Sequence, residues 1–216
     1  MSDIRVVIAD DHHMIRTYLI DALAMEKGIM VAAAVSNAAD AIDATVEHSP
    51  DIVLLDINMP GLDCFHAADE IRRINSNTKI IILSGAYDDR YIESALRVDA
   101  RAYITKAELD PMLHVVNAIK AVSSGKRYFS PTVQERLGDD QFGAPTQLLE
   151  KLTEREVATL TYLAKGYSKK EIAGYLHISV KTIEKHTQSI MDKLDIHDRV
   201  KLALWYAKNM DEGAGS

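Results

Sequence analysis

The chain has 216 residues, 47% of them hydrophobic, with a net charge of −7 and one cysteine, Cys64. That composition supports one large or two small packed domains and excludes a disordered chain. The lone cysteine excludes an intrachain disulfide, which fits a reducing compartment. No run approaches the ~18 apolar residues needed to span a bilayer, and residues 1–5 lack the basic-then-apolar start of a secretory signal. The expectation is a soluble, cytoplasmic protein without a membrane partner.

In chain order, short apolar runs at 4–9, 30–35, 52–55, 79–83 and 102–104 read as strands. Amphipathic segments near 13–26, 38–48, 64–74, 88–97 and 109–124 read as helices. Five strands alternating with five helices predict a parallel sheet covered on both faces. Residues 125–149 hold Ser130-Pro131, Gly138, Gly143 and Ala144-Pro145 without a sustained apolar period, and read as a linker with a short helix near 132–137. Beyond it, Thr153 with Glu156 and Ser168 with Glu171 are capping boxes, in which hydroxyl and carboxylate satisfy each other's free amides. Ser179 and Asp198 can cap two more helices. The tail therefore reads as four helices at 153–165, 168–176, 179–194 and 198–208. The domain expectation is 1–124, a linker at 125–149, and a helical domain at 150–216.

Charge is uneven. Residues 1–125 carry 19 acidic and 11 basic side chains, net −8, whereas residues 150–216 carry 10 and 11, net +1. The C-terminal third is the better candidate for nucleic acid, although charge alone does not establish binding.

In an open parallel sheet, ligands gather beyond the carboxyl ends of the strands. Asp10 and Asp11 follow the first strand and Asp56 follows the third. Converging carboxylates repel unless a cation neutralises them, and Mg²⁺ is typical where phosphate is handled. Ser84 ends the fourth strand and Lys106 follows the fifth. A hydroxyl, an ammonium and a metal can hold a phosphoryl group, with Asp56 as the nucleophile that becomes an aspartyl phosphate. Taken singly, each aspartate could be an ordinary turn or cap residue; five such groups on one edge argue for a site. His12 and His13 lack a partner histidine at ligand spacing and read as the start of a helix. Cys64 reads as a buried helix residue and not a nucleophile.

The stretches "ADDHHMIR", "IVLLDINMPGLD", "IIILSG" and "AYITKA" resemble the receiver domain of two-component response regulators over roughly residues 3–124. The resemblance implies a flavodoxin-like fold in which Asp56 accepts phosphate from a sensor histidine kinase. It also implies that Asp10, Asp11, Asp56 and the backbone carbonyl of Asn58 hold Mg²⁺, that Ser84 and Tyr103 are the switch pair, and that Lys106 is the site lysine. Asp99 and Ala102 in "VDARAYITK", and Cys64, stand where relatives often have glycine. The chemistry needs none of those glycines.

In "SVKTIEKHTQSIMDKL", Val180, Ile183, Ile190, Met191 and Leu194 recur at helical spacing and mark a buried face, while Lys181, Thr182, Lys185, Gln188 and Ser189 point elsewhere. Lys169, Lys170 and Lys193 add positive charge nearby. Such a helix can enter the DNA major groove, or it can be a solvated face of a bundle. The segment is similar to the LuxR-type helix-turn-helix over roughly 150–210, and the whole chain to the NarL/FixJ class of response regulators. That implies a recognition helix after Ser179 and, in the last helix, a dimer contact through Val200, Ala203, Leu204 and Ala207; these four could equally close the bundle. Glu184 departs from the lysine or arginine of many relatives. A carboxylate cannot pair with phosphate, but it can accept from a cytosine amino group.

The functional expectation is a DNA-binding regulator switched by phosphorylation of Asp56 and dimeric when phosphorylated or on DNA. It is not a conventional enzyme, apart from Mg²⁺-dependent self-phosphorylation and slow autodephosphorylation. A phosphohydrolase of the haloacid dehalogenase type would carry a second aspartate where this chain has Asn58. A protein-interaction switch that no longer binds DNA is the other alternative.

Overall fold

The computed structural model describes residues 3–85, 88–107, 111–135 and 149–210. In order, the elements are β1 (Ile4–Ala9), α1 (His13–Ala24), β2 (Ile29–Val35), α2 (Ala38–His48), β3 (Ile52–Asp56), α3 (Cys64–Ile74), β4 (Lys79–Ser84), α4 (Asp89–Arg97), β5 (Ala102–Thr105), α5 (Pro111–Ser123), β6 (Tyr128–Phe129) and α6 (Pro131–Glu135). Four helices follow: α7 (Glu154–Ala164), α8 (Lys169–Leu176), α9 (Val180–Leu194) and α10 (Arg199–Met210). The chain divides into two compact units, residues 1–87 with 98–133 and residues 88–97 with 134–216. Among the described residues, no helix is long and apolar enough to cross a membrane.

The first unit is built on a parallel sheet of order β2-β1-β3-β4-β5-β6. All five residues of β3 are buried, as expected of a strand covered on both faces. Val6 and Ile8 of β1 and Leu54 of β3 meet Leu19 and Leu23 of α1 and Val115 and Ile119 of α5 in one core. Helix starts follow local chemistry. Asp63 caps α3 by accepting from the Phe65 and His66 amides, each at 3.0 Å. Asn37 caps α2 by accepting from the Asp40 amide at 2.9 Å.

The sheet has a sixth strand where five were expected. Tyr128 and Phe129 pair with Ala102 and Tyr103, inside the stretch read as linker. Two residues are too few to show the alternation that marks a strand in sequence. The short helix expected at 132–137 forms at Pro131–Glu135; Gly138, Gly143 and Pro145 lie outside the described residues. So do residues 108–110, where the fifth predicted helix was to begin.

Before β5, Asp99 adopts φ 53°, the left-handed region that glycine enters freely. Its carboxylate lies 3.3 Å from Arg72, 3.6 Å from Arg101 and 2.5 Å from Arg127. This ion cluster anchors the side chain.

In the second unit both expected capping boxes form, Thr153 with Glu156 and Ser168 with Glu171. Helices α8 and α9 end at left-handed His177 and Asp195. Leu160, Leu163, Ile172, Ile183, Ile190, Leu194, Leu202 and Leu204 are buried. Val180 does not join them. It is 41% exposed, because it opens the first turn of α9, ahead of the Ile183–Thr187–Ile190–Leu194 seam.

Candidate functional site

The strand order brings the chemistry together. The chain leaves β1 toward β2 on one side and returns to β3 on the other, so the ends of β1 and β3 flank the point where the topology reverses. β1 delivers Asp10, β3 ends in Asp56, β4 ends in Ser84, and Lys106 follows β5. Asp10, Asp56 and Ser84 are fully or almost fully buried.

Lys106 Nζ lies 2.5 Å from Asp10 Oδ2 and 2.9 Å from Asp56 Oδ1. Asp10 Oδ1 accepts from the His12 amide at 2.9 Å, and the Asp10 carbonyl accepts from Arg16 at 2.6 Å. Apart from the Lys106 ion pair, the Asp56 oxygens have no side-chain hydrogen bond among the described residues. The Asn58 amide stands near enough to favour the ionised form slightly. Burial pushes the Asp56 carboxyl above its ordinary value; Lys106 opposes this and the Asp10 charge adds to it.

Carboxylate oxygens of Asp10, Asp11 and Asp56 and a ring nitrogen of His12 all lie within 4.8 Å of one another. This acidic cluster has the character of a divalent-metal site. His12 Nδ1 is 2.7 Å from Asp11 Oδ1, so His12 reaches the cluster, and among the described residues no second histidine joins it there. Tyr103 is buried on β5. Burial raises the Cys64 thiol to about 12, which leaves a poor nucleophile at neutral pH.

In the second unit, Lys170, Lys181, Glu184, Lys185 and Gln188 are exposed, and Thr182 lies at the cap, bonded to Ser179. Lys181, Glu184, Lys185 and Gln188 share one face of α9 by spacing. Three side chains on or near this face are engaged within the unit. Lys193, expected to add charge for DNA, pairs with Glu156 at 2.7 Å. Ser189 donates to Glu156 at 2.6 Å, and Gln188 donates to Asp192 at 2.8 Å. The expected dimer residues Val200, Ala203, Leu204 and Ala207 are all buried within the chain, on a helix that packs against both α7 and α4.

Sequence reasoning missed Arg16 and the full role of Glu156. Arg16 lies inside a quoted motif, but nothing in its spacing shows that it braces a backbone carbonyl. Glu156 was assigned only as a cap. Its contacts with Ser189 and Lys193 cross from α7 to α9, and spacing along the chain does not reveal them.

The fold and the two sites define a receiver-type α/β unit joined to a helix-turn-helix unit. The model of the response regulator receiver domain matches residues 6–117, and that of the bacterial regulatory proteins of the luxR family matches residues 150–206. The response regulator protein VraR of Staphylococcus epidermidis is 31% identical over 94% of this chain and 95% of its own length. VraR of Staphylococcus aureus is 30% identical over the same shares. Among solved structures, a LuxR-family two-component response regulator from Aurantimonas sp. SI85-9A1 is 29% identical, covering 62% of this chain and 94% of its own, with a TM-score of 0.58. The fold is also that of the Salmonella typhimurium RcsB response regulator, at 23% identity, TM-score 0.56, and 95% and 98% coverage. The chain belongs to the response regulators of two-component systems that carry a luxR-family regulatory domain.

Proposed function

We propose that this chain binds DNA as a transcriptional regulator and that phosphorylation of Asp56 by a sensor histidine kinase controls that binding. The observation that carries the reading is the buried Asp56 carboxylate at the end of β3. It lies 2.9 Å from Lys106 and within one acidic cluster with Asp10 and Asp11. In the transfer, an Asp56 oxygen forms a bond to phosphorus while the donor's phosphorus–nitrogen bond breaks. The electron pair stays on the leaving imidazole, which takes up a proton. Lys106 offsets the charge on the incoming phosphoryl group, and Ser84 offers a hydroxyl at the same strand edge.

Oxygen donors crowded around Asp56 fit a hard cation. Asp10, Asp11, Asp56 and the Asn58 carbonyl would hold Mg²⁺, which supplies charge neutralisation for the phosphoryl oxygens. Tyr103 and Ser84 form the switch pair. Residues 1–124 act as the receiver, 125–149 as the linker and 150–216 as the DNA-binding domain. Lys169, Lys170, Lys181, Thr182, Lys185 and Gln188 face the DNA. The RcsB response regulator has been seen in complex with DNA and as dimers on DNA, which supports a homodimer on DNA for this chain as well. The place of action is the cytoplasm.

Selecting bound fragments from a random DNA pool, with and without beryllofluoride as a phosphoryl mimic, tests the reading. Paired half-sites enriched only with the mimic are expected. Equal enrichment in both arms would remove phosphorylation as the gate, and no enrichment in either would remove DNA as the partner.

A further inference from the structure

On the exposed face of α9, Glu184 is the one acidic side chain among Lys181, Lys185 and Gln188. It is 54% exposed, and its carboxylate lies 3.6 Å from Lys169 on α8. A carboxylate is acceptor-only, so phosphate repels it, and the group on DNA that can bond to it is an amino group on a base edge. Two bases offer one in the major groove. Adenine places its N7 acceptor beside the N6 amino group, which repels a carboxylate. Cytosine presents its N4 amino group without an adjacent acceptor of its own.

We infer that Glu184 is a specificity-determining residue that reads a cytosine amino group in the major groove, with Lys169 offsetting its charge as α9 approaches the phosphates. The inference rests on the reading of this unit as DNA-binding and names the base that one position in each half-site must carry. The lysines on this face contribute backbone attraction and register.

The test is random-pool DNA selection with the full chain plus beryllofluoride, comparing wild type, Glu184→Ala and Glu184→Gln. Position 184 is exposed, and all three residues are tolerated in a helix, so folding is preserved. Wild type is expected to favour cytosine at one position of each half-site. Glu184→Ala should lower that preference roughly tenfold and leave the other positions as they were. Glu184→Gln should move the preference toward adenine, which a carboxamide contacts with both donor and acceptor. An unchanged preference in both variants, or a loss spread evenly over all positions, overturns the assignment while leaving DNA binding intact. If none of the three proteins selects a sequence, the DNA reading fails and the inference falls with it.

Discussion

The Lys106 ammonium stands 2.9 Å from Asp56 Oδ1, yet the Asp56 carboxyl is still pushed above its ordinary value. Desolvation at the buried end of β3 outweighs the ion pair, and the Asp10 charge works in the same direction. Asp56 ionised is therefore a cost to the fold. The sign follows from the raised value. The folded state binds the Asp56 proton more tightly than the unfolded chain, so stability is highest below the ordinary carboxylate range. It is lost as pH rises through the folded value. Asp56→Asn removes the ionisation. It should stabilise the first unit near neutral pH by on the order of 1 kcal/mol and show little difference near pH 3. Hydrogen exchange of the β3 and β4 amides at the two pH values measures this. A variant less stable than wild type at pH 7 would mean that the Lys106 pair wins after all.

The same substitution separates acceptor from scaffold. With a small-molecule phosphoryl donor, Asp56→Asn is expected to incorporate no acid-stable, base-labile phosphate, and chelation of divalent ions should stop incorporation into wild type. Lys106→Ala should slow it by a hundredfold or more, in the range of losing one charge-stabilising donor. Intact-mass spectrometry reads all three. Full labelling of the asparagine variant would place the acceptor elsewhere, and labelling in chelator would remove the metal from the reaction.

Much of this site is written in strand order. Apolar runs of three to six residues followed closely by Asp10, Asp56, Ser84 or Lys106 give both the buried strands and the edge they share, because a parallel sheet puts all its carboxyl ends on one side. The α9 face was legible for the same kind of reason, a helical period. What escaped were contacts between segments far apart in sequence. The pairing of Tyr128 with Ala102 is a two-residue strand with no pattern of its own. The tie of Lys193 to Glu156 spans 37 positions. Val200 and Ala207 were readable as apolar, but whether an apolar stripe meets its own bundle or another chain depends on what packs over it. Val180 misled because apolar character at a helix start does not guarantee burial.

Asp99 poses a local test of backbone against charge. Its φ of 53° costs a non-glycine residue about 1 kcal/mol, and Arg72, Arg101 and Arg127 gather around its carboxylate. Asp99→Ala keeps the unfavourable backbone and loses the ion cluster. Asp99→Gly loses the cluster and relaxes the backbone. The alanine variant should be destabilised by roughly 1–2 kcal/mol, and the glycine variant by about 1 kcal/mol less. Urea unfolding followed by hydrogen exchange at β5 reads both. Equal losses would mean that the backbone carries no strain there.

Glu156 is 4% exposed and joins the start of α7 to α9. Its Oε2 accepts from the Thr153 amide at 2.7 Å, from the Thr153 hydroxyl at 2.9 Å and from Lys193 at 2.7 Å, and its Oε1 accepts from Ser189 at 2.6 Å. Burial alone would raise the carboxyl, but Lys193, Ser189 and Thr153 together bring it down to about 2. A lowered value means that the stabilisation is complete above the ordinary value of 4.5 and is lost as pH falls toward 2. Glu156→Gln keeps the shape but leaves Lys193 without its charge partner and one acceptor replaced by a donor. It should cost about 2 kcal/mol at neutral pH, and the deficit should shrink as pH falls from 4.5 toward 2. Trp205, the single tryptophan, is buried in α10 and reports this unit directly by fluorescence. Urea titrations at pH 6.5 and pH 3 should show well-separated midpoints at the first and a clearly narrower gap at the second, because the charge-dependent part of the stabilisation is only partly lost above pH 2. A gap that persists unchanged at pH 3 would mean that Glu156 acts through packing and not through its charge.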